Sequence, residues 1–298
     1  MREPVKGVLA MVACCTIWGL SAIYYKLLEH IPPLEILAHR TLWSLVFFAL
    51  VLVLQRRFHL LVSAVGTRRS AATIGAAALL ISLNWFTFIT SIQLGKAVEA
   101  SLGYYIFPLV SVIMGAIVFK ERLGRVQVMA VVLAGLAVTT LTAGLGVAPW
   151  IALVLAVSFG LYGVVKKGLS VGPVVSVTAE VLLLSPIAIA VLGFVHGQGG
   201  GTFATNWQDS LLLAFSGILT GLPLILFSYA TKRVMLSTVG LVQYLNPSLQ
   251  FLVATLIFRE AFSLWHAIAF GMIWTALALY TTSALRQDRA ARRAAISP

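Results

Sequence analysis

Residues 97–112 read AVEASLGYYIFPLVSV, an apolar run that carries a glutamate, two adjacent tyrosines and a proline. A second run at 236–251, LSTVGLVQYLNPSLQF, follows the same plan: small residues, then a polar and aromatic cluster, then a proline. Pro108 and Pro247 lie 139 positions apart, and at that offset Tyr105 matches Tyr244 and the triplet FKE ending at Glu121 matches FRE ending at Glu260. Nearer the start of each half, Trp18, Gly19 and Lys26 match Phe159, Gly160 and Lys167 at an offset of 141, so a two-residue gap reconciles the two registers. The chain is an internal repeat.

Composition gives the solvent of that repeat. Hydrophobic residues make up 60% of the sequence and charged residues 10%, with a mean hydropathy of +0.99; a soluble domain carries roughly 25% charge. Windows of about 20 residues, the length a helix needs to cross a hydrocarbon core, give ten candidate spans, at 7–28, 35–54, 72–91, 97–119, 126–144, 148–166, 174–195, 210–231, 237–258 and 264–284. The expected fold is an all-α polytopic membrane protein: five spans in 1–145, five in 146–285, and a basic tail at 286–298. Because five is odd, the second half enters the membrane from the opposite side. Inverted repeats of this kind build many secondary transporters, with the substrate site at the repeat interface near the midplane.

A net charge of +12 could suggest nucleic acid, but its distribution argues otherwise. With the N-terminus inside, Arg2, Lys6, Arg56, Arg57, Arg68, Arg69, Lys120, Arg122, Arg125, Lys166, Lys167, Lys232, Arg233, Arg286, Arg289, Arg292 and Arg293 share one side, 17 of the 21 Lys and Arg residues. Lys96 and Arg259 lie opposite. This is the positive-inside pattern, and it predicts cytoplasmic N- and C-termini, with the basic residues close to anionic lipid. No nucleic-acid partner is expected. The start MREPVKGVLAMVACC imitates a signal peptide or a lipoprotein site before Cys14, but the apolar run continues to Leu28, which favours an uncleaved first helix. Cys14 and Cys15 are vicinal and have no other cysteine to pair with, so neither a disulfide framework nor a metal site can be built from them.

Within the spans, polar residues fall in stripes. Gln243, Asn246 and Gln250 occupy i, i+3 and i+7, as do Asn84, Thr87 and Ser91. Amides cannot face lipid without losing hydrogen bonds, so each stripe faces either neighbouring helices or a wet cavity. Pro108 and Pro247 free carbonyls one turn back, which need the same kind of partner and make these prolines candidate hinges. The titratable residues inside the spans are His39, Arg40, Glu99 and Glu180, with Lys26 near the outer end of the first. A charge at mid-bilayer costs on the order of 3 kcal/mol unless paired. His39, Arg40 and Glu99 all lie one to two turns from the outer face, which predicts an Arg40–Glu99 pair, either a static pin or a gate and carboxylate clamp. Glu180 stands at the repeat position of His39 without an evident partner; burial would keep it neutral and open to proton coupling.

Enzyme readings find little support. The spans contain no Asp, and HExxH, GxSxG, Walker A and paired-Cys patterns are missing from the sequence. No cofactor or metal is expected.

The segments IWGLSAIYYKLL, EILAHRTLWS, NWFTFI, VEASLGYYIFPL, ERLGRVQ, SFGLYGVVKK and LSTVGLVQYLNPSLQFL together resemble bacterial inner-membrane permeases of the EamA branch of the drug/metabolite transporter superfamily. The resemblance spans about residues 6 to 285. It implies two inverted five-helix repeats, a central cavity opened and closed largely by flanking helices that include the fourth and ninth, and export or exchange of small metabolites or drugs. The resulting expectation is alternating access around a midplane cavity lined by Trp18, Asn84, Trp85, Tyr104, Tyr105, Gln243, Tyr244 and Asn246, whose rings suit an amphipathic small-molecule substrate. His39, Arg40, Glu99 and Glu180 are the candidate coupling or gating residues. The alternatives are a membrane-embedded enzyme acting on a lipid-linked substrate and a channel. A monomer is compatible with all of these.

Overall fold

The computed structural model describes residues 3–120, 123–169, 171–234 and 236–296, the side chains at 236, 237, 284, 285 and 287–296 excepted. The chain forms α1 (Glu3–Leu27), α2 (Pro33–Leu54), α3 (Phe58–Val65), α4 (Arg68–Gln93), α5 (Ala97–Val118), α6 (Arg125–Leu145), α7 (Trp150–Lys167), α8 (Pro173–Gly197), α9 (Trp207–Thr231), α10 (Leu236–Gln243), α11 (Leu245–Leu252) and α12 (Leu264–Ile296), with a π-helical turn at Val253–Ile257. Among the described residues, nine helices are long and apolar enough to cross a membrane: α1, α2, α4 to α9, and α12 over Leu264–Ser283. The tenth crossing is the composite path from Leu236 to Ile257. At about 1.5 Å per residue that path covers about 33 Å, enough for a hydrocarbon core of about 30 Å.

Helix packing makes the repeat physical. α4 and α5 pack on α7, while α9 and the α10–α11 pair pack on α1; α2 meets α8, and α6 meets α12. Exchanging the halves exchanges each pairing for its counterpart, as a two-fold relation requires. The opening helix of each half is therefore packed into the other half, so neither half closes a core alone. The backbone repeats too. Lys120 and Arg259, in the matching FKE and FRE segments, both adopt φ of 53°, a left-handed conformation uncommon outside glycine. Glu121, the repeat partner of Glu260, and Arg122 lie outside the described residues.

Close approach between the halves uses small residues. On α9, Gly217 and Gly221 are four apart; a Cβ on Gly217 would stand 2.4 Å from the Trp43 carbonyl oxygen of α2, and one on Gly221 would stand 2.2 Å from the Phe47 ring. This small-xxx-small spacing lets helix backbones approach where lipid supplies no hydrophobic drive for association. Glu3 at the start of α1 accepts from Arg233 Nε at 2.9 Å, so α1 begins at the end of the bundle where α9 finishes.

Two features correct the sequence reading. The span expected as one helix at 237–258 is interrupted at Tyr244 and loosens into the π turn. Proline explains the position of the break: the helix restarts at Leu245, which places Pro247 in a first turn, where its missing N–H is not needed. Pro108, its repeat partner, leaves α5 continuous. The loop at 55–71 also contains α3, whose Leu61 and Ala64 are buried against Leu52 and Ile74.

Candidate functional site

A cavity of about 410 Å3 lies where the repeats meet, with walls from every long helix except α6 and α12. The α1 wall is Trp18, Ser21 and Tyr25, and α7 presents Phe159, Tyr162 and Lys166, with the backbone of Gly163 beside them. Each set follows i, i+3, i+7, and each residue of the second stands 141 positions after its counterpart in the first. The two opening helices thus present the same face to the same space. This spacing was the available signal for Tyr25 and Lys166, which reading the motif pairs alone did not single out.

Of the residues expected to line the cavity, Trp18, Asn84, Trp85, Tyr104, Gln243 and Asn246 do so, whereas Tyr105 and Tyr244 do not. Tyr105 shares a hydrogen bond of 2.7 Å with Ser248 Oγ and meets Phe270 and Trp274 edge-on, in the seam towards α12. Tyr244, at the helix break, is half-buried and packs against the hydrophobic core. Neighbouring residues on a helix diverge by about 100°, so of two adjacent tyrosines only one can point into a narrow cavity.

The polar stripes divide by function of their amides. Both donors of Asn84 are used: Nδ2 donates to Leu155 O (2.9 Å) and Ser158 Oγ (3.0 Å), and Oδ1 accepts from Tyr104 OH (3.1 Å). Thr87 and Ser91 bond to carbonyls of their own helix. On the composite crossing, Gln243, Asn246 and Gln250 all face the cavity. Gln250 Nε2 donates to Asn246 Oδ1 at 3.1 Å, while Gln250 Oε1 is buried without a partner. Spare amide capacity is therefore concentrated at the broken helix.

The expected Arg40–Glu99 pair does not form. α2 packs chiefly on α8, α9 and α4, not on α5. Arg40 instead reaches into the cavity: Nε donates to Thr220 Oγ1 (3.0 Å), Nη1 donates to Tyr25 OH (2.7 Å), and the guanidinium lies 4.0 Å over the Trp85 ring. Glu99 pairs with Lys96 one turn back at 3.5 Å. His39 is outside the cavity, stacked on Phe203 at 4.8 Å. The expectation that Glu180 lacks a partner is also corrected. Its Oε1 accepts from Lys166 Nζ (2.6 Å) and Ser176 Oγ (2.9 Å), and its Oε2 accepts from Tyr162 OH (3.1 Å).

The two ends of the cavity differ. Its wall includes Lys166 and Pro173, at the α7–α8 turn. At the other end, contacts tie the helix termini together. Gln93 Nε2 donates to Ile31 O (2.9 Å) and Leu28 O (3.2 Å), and Tyr24 OH donates to Leu212 O (2.6 Å). Glu260 accepts from the N–H groups of both Ala97 and Val98 at 2.8 Å, capping the N-terminus of α5 from the opposite repeat. Burial raises the Glu260 carboxyl above its usual range, against the pull of these two donors and Lys26. A smaller cleft of about 290 Å3, between α2, α8 and α9, is edged by Arg57, Lys232 and Arg233.

The profile of the EamA-like transporter family matches residues 5–143 and again residues 147–282, one copy in each half. The chain belongs to the EamA-like transporter family. It is 40% identical over 294 residues to an uncharacterized transporter of Vibrio cholerae, covering 98% of this chain and 97% of that one. Proteins named RarD are similar over comparable lengths: that of Streptomyces exfoliatus is 41% identical, covering 98% of this chain and 93% of the relative, and that of Escherichia coli K12 is 35% identical, covering 97% and 98%. A crystal structure of a protein 20% identical in sequence superposes with a TM-score of 0.62, over 96% of this chain and 99% of its own. That likeness concerns the fold. As an EamA-family chain with RarD relatives, the protein is a multi-pass bacterial membrane transporter of the drug/metabolite transporter superfamily.

Proposed function

We propose that this transporter works by alternating access in the bacterial inner membrane, carrying small amphipathic metabolites or drugs through the cavity between the repeats. The observation that carries the reading is the asymmetry of that cavity. Both repeats wall it, it reaches the α7–α8 turn, and its opposite end is tied shut by Gln93, Tyr24 and Glu260. Rocking one repeat against the other about the same residues would exchange the open end for the closed one.

The charge distribution supports cytoplasmic termini and a cytoplasmic position for the α7–α8 turn, with Arg57, Lys232 and Arg233 beside anionic lipid headgroups. In this orientation a cavity that opens at the α7–α8 turn faces inward. Tyr104, Trp85 and Trp18 offer ring surfaces, and Gln243, Asn246 and Gln250 supply hydrogen bonds that orient the solute. Pro247, at the interrupted crossing, is the better hinge candidate of the two prolines. The Lys166–Glu180 pair at the open end is where protons would couple to movement, because one proton decides whether that charge pair exists.

Flux into proteoliposomes tests the reading. Uptake that saturates, is stimulated by solute on the far side and leaves the solute chemically unchanged is expected. Linear flux would instead indicate a channel, and chemical conversion an enzyme.

A further inference from the structure

The cavity contains a cation that no described acidic residue neutralises. Arg40 is only 7% exposed, and its two hydrogen bonds go to the hydroxyl groups of Thr220 and Tyr25, which carry no charge. A guanidinium has five N–H donors. Among the described residues those two bonds leave three N–H groups without a protein partner, both of those on Nη2 included, on a side chain that lines the cavity. No carboxylate lies within ion-pair distance of Arg40 among the described residues. The acidic residue nearest in sequence on α2 is Glu35, five positions earlier and so about 140° away around the helix. It accepts instead from the Thr202 N–H at 2.7 Å. The cavity's other cation, Lys166, is matched by Glu180. The wall is thus left with one uncompensated positive charge in a largely aromatic enclosure.

We propose that Arg40 binds the charged group of the solute, and that the solute is a small monocarboxylate with an apolar, ring-sized body. This rests on the cavity being the transport site. The planar fork of a guanidinium matches the two oxygens of a carboxylate, and the Trp85 ring 4.0 Å away limits how far it can move. One uncompensated charge suits a monoanion better than a phosphate dianion. Trp18, Phe88, Phe107, Phe159 and Phe227 line the remaining space and accept the apolar body. A buried cation without a counter-ion is costly. The Trp85 ring offsets part of that cost, and the solute's carboxylate would remove the rest.

The test is equilibrium binding to the full chain in lipid nanodiscs, read by tryptophan fluorescence and thermal stabilisation. The matched probes are 3-phenylpropionate, 3-phenylpropanamide, 3-phenylpropylammonium and phenyl phosphate. Wild type should bind the carboxylate roughly tenfold or more tighter than the amide, with the phosphate weaker than the carboxylate and the ammonium weakest. Arg40→Gln should bind carboxylate and amide alike, and Arg40→Lys should regain part of the preference. If Arg40→Gln does not fold, the wild-type ranking decides alone. A wild type that does not bind the carboxylate, or does not prefer it, contradicts the proposal, as does an undiminished preference in Arg40→Gln. Counterflow is measured separately: carboxylate binding without counterflow would count against transport through this cavity, and counterflow of neutral solutes without carboxylate preference would count against Arg40 alone.

Discussion

Lys166 Nζ of α7 lies 2.6 Å from Glu180 Oε1 of α8, and the two side chains are 22% and 1% exposed. The pair joins consecutive helices at the α7–α8 end of the cavity, with Ser176 and Tyr162 completing the carboxylate's hydrogen bonds. Breaking a buried pair leaves an uncompensated charge, at a cost of about 3 kcal/mol or more. Lys166→Met, which strands the nearly inaccessible Glu180, should lower the melting temperature more than Glu180→Gln does. The double variant should recover most of the loss. Thermal unfolding in detergent measures all three, and a double variant no more stable than Lys166→Met would show that the pair is not the source of the loss.

The amides of the broken crossing should behave differently from Asn84. Gln243→Leu and Asn246→Leu are predicted to insert and fold, the second losing one hydrogen bond from Gln250, yet both reduce flux at least tenfold, since these amides line the cavity. Asn84→Leu deletes bonds to Leu155, Ser158 and Tyr104, and should destabilise the protein by roughly 1 to 2 kcal/mol. Yield, melting temperature and flux per folded molecule separate the two outcomes. Equal flux loss without a stability difference would mean that the amides play one role.

Glu260 should act as a latch. Glu260→Gln keeps an acceptor but removes the charge that caps α5, weakening the closed end by roughly 1 kcal/mol. A cysteine at Asn246 should then react faster with a membrane-impermeant maleimide added from the periplasmic side. Unchanged labelling would mean that the remaining ties, at Gln93 and Tyr24, hold that end by themselves.

Topology is checked by the same chemistry. A cysteine at Gly200 should be labelled from the periplasm and one at Thr67 should not. Labelling of position 67 from outside would invert the assigned orientation.

The repeat was legible because its markers are covalent facts. Two prolines, two tyrosines and the FKE/FRE segments keep their spacing whatever the packing, and the matching φ of Lys120 and Arg259 shows that the spacing carries backbone geometry with it. The lining of the cavity was legible where a stripe lay on one face, as for Gln243, Asn246 and Gln250. Phase and neighbour relations were not. Whether Tyr104 or Tyr105 turns inward depends on how α5 is rotated against α7 and α12. Whether Arg40 can meet Glu99 depends on α2 lying beside α8 and α9. Similar depth in the membrane suggested that pair, but depth does not say which helices are adjacent. The break at Tyr244 was half visible: Pro247 marks the strain, while the same residue type at 108 sits in an uninterrupted helix.

The central claim is that a solute crosses through the space between the repeats by alternating exposure. Trans-stimulated uptake into proteoliposomes measures it most directly, using a solute found to stabilise the protein and comparing wild type with Asn246→Leu. The account predicts uptake by wild type that saturates and accelerates when unlabelled solute is loaded inside, and an Asn246→Leu variant with normal folding and at least tenfold slower uptake. Uptake that rises linearly with concentration and ignores the internal solute, or an Asn246→Leu variant as fast as wild type, would contradict it.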